Sequence, residues 1–525
     1  MATTTEPTNA NAVISSPTRR ESAASLLESR SPATGKKLGE VPVASADEVV
    51  RTMARARRAQ AAWAMLPPAE RAERVLRFRN ALVERTDEVV DIVSAETGKP
   101  RFEALISEVV PIADLATYFC ERAKKLLAPK PIDVHLLKNR RQYVHYTPRG
   151  VVAIISPWNF PFTITFGDAI AALLAGNAVV IKPSEVTPLS VQKGKEIWDA
   201  AGLPPDLLQI VHGRGDVGGA LIDAMPDKVV FTGGVATGKR VAAMCGERLI
   251  PCVLELGGKA PLIACEDADI EATARAIVFG GFHNSGQVCV SIERVYAHEK
   301  IHDLLLERVV GLVSALRQGD PASDETDVGS MTFPRQVEIV ERHIEDAIAK
   351  GATVRTGGRR KEAGSMMFAP TVLAGCDHSM TVMKEEIFGA IVPFMKVGSE
   401  EEAIALANDS HLGLNAYVFT TDRDRGCRIA ERVLAGTVLV NEVLINHAMP
   451  ESPFGGVKQS GIGRVHGDDC LREMSHARLV NVDRFGPAQN PLWMPYSAKT
   501  SEWVKRGLRA MFSGQSVWKR IGELF

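Results

Sequence analysis

A chain of 525 residues exceeds what one hydrophobic core ordinarily supports, so two or three domains with a shared interface are expected. Lys plus Arg number 62 against 63 Asp plus Glu, and 45% of residues are hydrophobic; this soluble, charge-balanced composition has no overall field to attract nucleic acid. The 8 cysteines lie far apart, with no Cys-x-x-Cys and no Cys/His cluster at ligand spacing, which argues against a structural metal and for a reducing compartment. With no secretory signal and no window of transmembrane length, a cytoplasmic location is expected, and residues 1–24, rich in Thr, Ser, Asn and Ala, are expected to form a disordered tail.

In chain order, Ser31 to Gly35 reads as a turn and Leu38 to Val43 as a short strand. Three helical patterns follow, from about Ser45 to Met65, Pro68 to Glu96 and Arg101 to Leu127, the last broken near Pro111; their charged positions read as solvated faces. Ser45 and Glu48 have capping-box spacing. Gln142 to Tyr146 alternates like a strand. From Val151 to Leu256 short Val/Ile/Leu runs alternate with helical patterns, which predicts a parallel sheet covered by helices. A second strand-and-helix series runs from about Gly258 to Asn441. The fold class is therefore α/β, with two such domains.

Several stretches carry chemistry. Phe282 to Ile292 sets Cys289 on a Gly-containing loop, where a thiol is either a small core residue or a nucleophile. Ser156-Pro157-Trp158-Asn159 and Lys182-Pro183-Ser184-Glu185 each follow a strand, where open α/β sheets bind dinucleotides. A lysine donates to ribose or phosphate oxygens, and a carboxylate such as Glu185 accepts from ribose hydroxyls, favouring NAD over NADP. Gly213 to Gly219 and Phe231 to Lys239 each place glycines between a strand and a helix, a tight turn or an anion site. Glu255, in Leu254-Glu255-Leu256-Gly257-Gly258-Lys259, is a candidate general base whose pKa desolvation would raise. Glu386 and Phe388 offer a carboxylate and a ring.

Together with Pro157 to Pro161 and Pro453 to Gly461, these motifs resemble the aldehyde dehydrogenase superfamily in order and approximate spacing over roughly Ser31 to Val482. The resemblance implies a Rossmann-type cofactor domain (residues 25–130 and 151–257), a catalytic domain (258–460), a small β oligomerisation element (131–150 and 461–486) that pairs subunits into a homodimer or homotetramer, and a C-terminal extension (487–525). It implies Cys289 as nucleophile, Asn159 with the Cys289 N–H as oxyanion hole and Glu255 as activator of the hydrolytic water. The implied cofactor set is Ser156, Trp158, Lys182, Ser184, Glu185, Gly215, Gly233, Gly234, Leu256, Glu386 and Phe388, holding NAD or NADP. The implied reaction oxidises an aliphatic aldehyde or semialdehyde to the acid through a hydrolysed thioester. A coenzyme A-acylating enzyme and a non-catalytic binding protein are the competing readings; Glu255 argues against the first, and joint retention of Cys289, Asn159 and Glu255 against the second.

Departures from the family pattern are Gly234 for a frequent serine, Ala390 for Pro and Val465 for Glu. His283 stands where succinic semialdehyde dehydrogenases typically carry an arginine for the substrate carboxylate. In the extension, Trp503, Val504, Gly507, Leu508, Met511 and Phe512 share a helical face opposite Lys505, Arg506 and Arg509. Packing on protein is the favoured reading of that face, and a weak peripheral membrane contact the alternative.

Overall fold

The computed structural model of the protein describes residues 25–486, 490, 492–512 and 514, so the expectation for residues 1–24 lies outside it. The chain forms two compact units, one comprising the described residues up to Ala128 together with Tyr146–His476, the other Pro129–His145 with the described residues from Ala477 onward.

The first unit contains both α/β sheets. Its first sheet is built from β1 (Val151–Ile155), β2 (Ala178–Lys182), β3 (Leu208–Ile210), β4 (Lys228–Thr232) and β5 (Cys252–Glu255). All five pair in parallel in the order β5-β4-β1-β2-β3. β1 and β2 are buried at every position, which is why their sequences are unbroken apolar runs rather than alternating ones. The chain leaves β1 toward β2 and β3 and returns to β4 on the other side. The crevice at the carboxyl ends of β1 and β4 is thus a topological switch point, where such sheets bind ligands.

The second sheet comprises β6 (Ala260–Ala264), β7 (Ile292–His298), β8 (Thr353–Thr356), β9 (Thr371–Ala374), β10 (Ile391–Val397), β11 (Asn415–Phe419) and β12 (Thr437–Val440), in the order β8-β9-β10-β7-β6-β11-β12. Only the β8–β9 pair is antiparallel. Only Leu256, Gly257, Gly258 and Lys259 separate β5 from β6, and the thiol loop leads directly into β7. The last short strand, β13 (Gly461–Ile462), returns to pair antiparallel with β5, Gly461 opposite Glu255. This strand belongs to the first unit, and the division between the units falls at Ala477.

Ser45 caps the helix Ala46–Ala64, accepting from the Glu48 N–H, and Trp63 on that helix donates its indole N–H to the Leu173 carbonyl at 2.8 Å. The second helical pattern divides into Pro68–Glu84 and Thr86–Thr97 at Arg85. The third carries a π turn at Leu105–Val109, just before Pro111, whose missing N–H breaks the ladder there.

The reading of these helices' charges as solvated faces is corrected. The side chains of Lys99 and Glu108 are fully buried and paired at 2.7 Å. Lys99 Nζ also donates to the Asn159 carbonyl at 2.8 Å and sits 3.9 Å from the centre of the Phe160 ring. The second Glu108 oxygen accepts from the Phe162 and Thr163 N–H groups at 3.0 and 2.8 Å, closing the first turn of the helix Thr163–Leu174. A chain-local pattern cannot register this, because the burial comes from a segment some fifty residues away.

In the second unit, Lys130–Ile132, Arg140–Pro148 and Ser475–Asp483 form a three-stranded sheet with Ser475–Asp483 at one edge. A helix spans Ala498–Phe512, and Trp503, Val504, Leu508, Met511 and Phe512 on it are all exposed. Among the described residues no helix is long and apolar enough to cross a membrane.

Removing one partner of the Lys99–Glu108 pair strands a charge in the interior, so Lys99→Met is expected to destabilise the protein by about 3–5 kcal/mol. Urea unfolding followed by tryptophan fluorescence should show the loss, and Lys99→Met with Glu108→Gln should recover part of it.

Candidate active site

The thiol loop is shaped by backbone conformation. Asn284 and Ser285 adopt φ of 49° and 54°, and Gly286 one of 74°. Three successive left-handed residues are costly for ordinary side chains and persist only where the surroundings over-determine them. Here the Asn284 N–H donates to Glu103 at 2.9 Å, its side-chain amide donates to the Asn159 carbonyl at 3.0 Å, and the Ser285 hydroxyl donates to the Gly329 carbonyl. The Gln287 amide donates to the Asn284 carbonyl, and its oxygen accepts from the Thr332 N–H. Beyond the thiol, the Tyr417 hydroxyl donates to the Val290 carbonyl at 2.5 Å.

The two glycines that join the sheets are required by close approach. A Cβ on Gly258 would lie 2.1 Å from the Cys289 carbonyl oxygen, and one on Gly257 would lie 2.4 Å from a Glu386 carboxylate oxygen. The Gly258 N–H donates to Glu386 at 3.0 Å. Glu386 itself is carried on a loop that Glu293 fastens, accepting from the Ile387 and Phe388 N–H groups and from Lys259 Nζ at 2.9 Å. Phe388 sits at φ 51° within that clasp, with its ring edge-on to Trp158 at 5.4 Å.

Cys289 opens onto three cavities. The first, about 270 Å³, is a cleft lined by Trp158, Asn159, Gly233, Gly234, Glu255, Leu256, Glu386 and Phe388. It joins all three residues expected to perform chemistry to six of those expected to bind cofactor. The remaining five, Ser156, Lys182, Ser184, Glu185 and Gly215, lie outside this lining, along the carboxyl edge of the same sheet. There the Ser156 N–H donates to the Lys182 carbonyl, and Lys182 Nζ pairs with Glu185 at 3.3 Å.

The second cavity, about 280 Å³, lies before the thiol and is walled mainly by Ile106, Phe160, Ile164, Phe279, Val443 and Leu444, with His283 and His447. Among the described residues no lysine or arginine lines it, and the one carboxylate among them, Glu442, is exposed. His283 approaches Glu103 at 3.2 Å and lies near-parallel to the Phe160 ring at 6.1 Å. Burial holds His447 down at about 4, so it is neutral.

The third cavity is about 20 Å³, room for one water, and is bounded by Cys289, Glu255, Asp168, His447 and His466. Neither Glu255 oxygen has a hydrogen-bond partner among the described residues. Burial raises its pKa well above the usual carboxylate range, the Asp168 carboxylate adds to this, and the Arg464 guanidinium partly offsets it. Asp168 is itself pushed up to about 7 by burial, with Lys228 opposing. Burial pushes the Cys289 thiol up to about 12, and the Glu386 and Glu255 carboxylates add to the effect, so the resting group is a thiol and not a thiolate.

Asp168, Glu293, Lys99 and Glu108 were not singled out from the sequence. Asp168 falls in an apolar helical run, Thr163–Leu174, and an acid alone among buried residues was the available signal.

A sulfur between a crevice at the sheet's switch point and an apolar cavity, with a raised carboxylate beside it, is an arrangement suited to a cysteine-dependent oxidoreductase of the α/β class. Residues 18–480 match the aldehyde dehydrogenase family, and the chain belongs to it. It is 39% identical over 493 residues to the 4,4'-diapolycopene aldehyde oxidase of a Methylomonas species, covering 93% of this chain and 92% of that one. Among solved structures it resembles a succinate-semialdehyde dehydrogenase from Burkholderia pseudomallei (TM-score 0.84, 35% identity, 87% of this chain and 95% of that one). It also resembles an NAD-dependent aldehyde dehydrogenase from Sinorhizobium meliloti (TM-score 0.84, 34% identity, 89% and 93%). As a member of this family the chain is an enzyme that oxidises aldehydes to acids.

The carboxylate of Asp168 raises the pKa of Glu255, so Asp168→Asn removes that repulsion and lowers it. The acid limb of the steady-state pH profile is expected to move to lower pH. Stopped-flow and steady-state rates measured across pH 5 to 9, roughly the range in which raised carboxylates titrate, check this.

Proposed function

We propose that the chain oxidises uncharged, apolar aldehydes to carboxylic acids with NAD or NADP, through an acyl group carried on Cys289 and released by water. The observation that carries this reading is that one sulfur is shared by a cofactor-side cleft, an apolar cavity without a cation and a water-sized cavity beside Glu255.

The residues present fit a nicotinamide dinucleotide. Space is open around Gly234 where a side chain would stand, and the first N–H groups of the helix Val235–Glu247 face an anion there. Lys182, Glu185 and Glu386 would hold ribose hydroxyls, and Trp158, Leu256 and Phe388 would bound the ring. When bound, the nicotinamide supplies the acceptor for the aldehyde hydrogen.

The protein's own groups do the rest. Glu255 takes the thiol proton, and the sulfur adds to the carbonyl carbon. Asn159 Nδ2, which donates to the Gln287 carbonyl at 3.0 Å, and the Cys289 N–H provide donors for the oxyanion, each worth roughly 3–4 kcal/mol in such sites. After loss of hydride the acyl group remains bonded to sulfur. Once that first proton has passed to solvent, Glu255 removes a proton from water in the small cavity, the oxygen adds to the acyl carbon, the carbon–sulfur bond breaks, the departing sulfur regains the proton from Glu255, and the acid departs.

The absence of a cation from the apolar cavity favours neutral tails over a semialdehyde carboxylate, because a buried anion without a partner is strongly disfavoured. The proposed assembly is a homodimer or homotetramer, supported by the open edge strand Ser475–Asp483 with Leu479 exposed on it. A cytoplasmic location accords with the scattered free cysteines. Contact with protein in that assembly is the favoured cover for the apolar face of the helix Ala498–Phe512, and a membrane surface is its competitor.

Wild type should form NADH or NADPH from hexanal without coenzyme A, and Cys289→Ala should abolish it. Glu255→Gln should lose the initial burst as well as steady turnover if this residue takes both protons; a surviving burst would confine it to hydrolysis. A strict requirement for coenzyme A would overturn the hydrolytic reading. Leu479→Pro should lower the mass seen by light scattering, and truncation after Pro495 should leave vesicle cosedimentation unchanged.

A further inference from the structure

A fourth cavity, about 420 Å³, adjoins the apolar cavity at Cys289. Ile106, Phe279 and His283 line both, so these three side chains form the wall between them. Two of the three are held. His283 is packed near-parallel to Phe160 and beside Glu103, and Ile106 lies in the π turn Leu105–Val109. Phe279 is 45% exposed near the end of the helix Ile270–Phe282, with its ring 5.1 Å from that of His283, and it is the least covered part of the wall.

The far side of that wall is apolar. Phe102, Val278, Phe282, Leu312, Leu316 and Val328 line it, and Phe102 leaves 65% of its surface uncovered at the rim. The charged groups that reach the same cavity are committed elsewhere. Arg275 donates to Glu271 at 2.6 Å, Asp327 takes two bonds from Arg317 at 3.0 Å, and Asp324 faces Arg101 at 3.7 Å. Among the described residues no unpaired cation lines it to meet a distal carboxylate, and apolar surface this extensive beside a substrate cavity is costly unless something covers it.

Building on the proposed aldehyde oxidation at Cys289, we propose that the cavity beyond Phe279 is a second substrate subsite, which takes the distal hydrocarbon of a long apolar aldehyde whose carbonyl is held at the thiol. The occupant follows from continuity, because a chain that fills the apolar cavity at Cys289 meets Phe279 next, and from chemistry, because the lining beyond is hydrocarbon with paired charges. Short aldehydes end at the wall and use the apolar cavity alone. Each further methylene that passes the wall strengthens transition-state binding by up to roughly fourfold. Phe279 thereby sets chain-length preference while touching neither the thiol nor the cofactor cleft.

The test is the ratio of kcat/KM for dodecanal to that for hexanal, measured with the full chain and NAD or NADP. In wild type the ratio should exceed roughly tenfold. Leu316→Trp, which fills the fourth cavity from its far wall, should lower the ratio by roughly tenfold, and Val278→Phe, an independent obstruction, should lower it in the same direction. A wild-type ratio near unity, or a ratio unchanged in either variant that retains hexanal turnover, overturns the subsite. If wild type oxidises no aldehyde, hexanal included, it is the underlying aldehyde-oxidising reading of Cys289 that fails.

Discussion

The site depends on one close approach of backbone to backbone. The Gly258 α-carbon lies against the Cys289 carbonyl so tightly that a single added carbon would be 2.1 Å from the oxygen. That contact ties the linker between the two sheets to the thiol loop. Its neighbour Gly257 ties the same linker to Glu386. This four-residue linker thereby fixes Glu255 on β5, the sulfur and the Glu386 carboxylate relative to one another. Loops carry the reacting groups, and sheet ends and glycines hold the loops.

Around this contact the protein gathers negative charge. Glu255, Asp168 and Glu386 all surround the sulfur's environment, and burial raises each of them, Glu386 to about 8 with help from Glu293. Such crowding disfavours a standing thiolate and keeps the carboxylates available as proton acceptors near neutral pH. The compensating cations are placed one step back. Lys259 pairs with Glu293, Lys99 with Glu108 and Lys228 with Glu473. Positive charge thus anchors the loops without neutralising the groups that move protons.

Local signals in the sequence were legible where local forces decide the outcome. The Ser45 cap, the unbroken apolar runs of β1 and β2 and the glycines before the helix Val235–Glu247 all act within a few residues, and each was read correctly as an element. Cys289, Asn159 and Glu255 stood out because their motifs are compact. Lys99, Glu108 and Glu293 did not, because nothing nearby marks them as buried, and Asp168 did not although it stands alone in an apolar helical run. Their partners are brought from distant segments, and an isolated charge looks the same on a solvated face as in an interior. The division of the second helical pattern at Arg85 was likewise invisible, since hydrophobic periodicity continues across it.

The three cavities that meet at Cys289 have a consequence for traffic. In the proposed reaction an acyl chain takes the apolar side and a dinucleotide the opposite cleft, so either alone would close an approach to the sulfur. Water has a compartment of its own beside Glu255, walled by Phe454, Val465 and the neutral histidines 447 and 466. The last reactant need not squeeze past the first two. A bulky, tightly held tail can therefore stay in place through hydrolysis, and tight binding of the substrate does not have to slow its release from the sulfur.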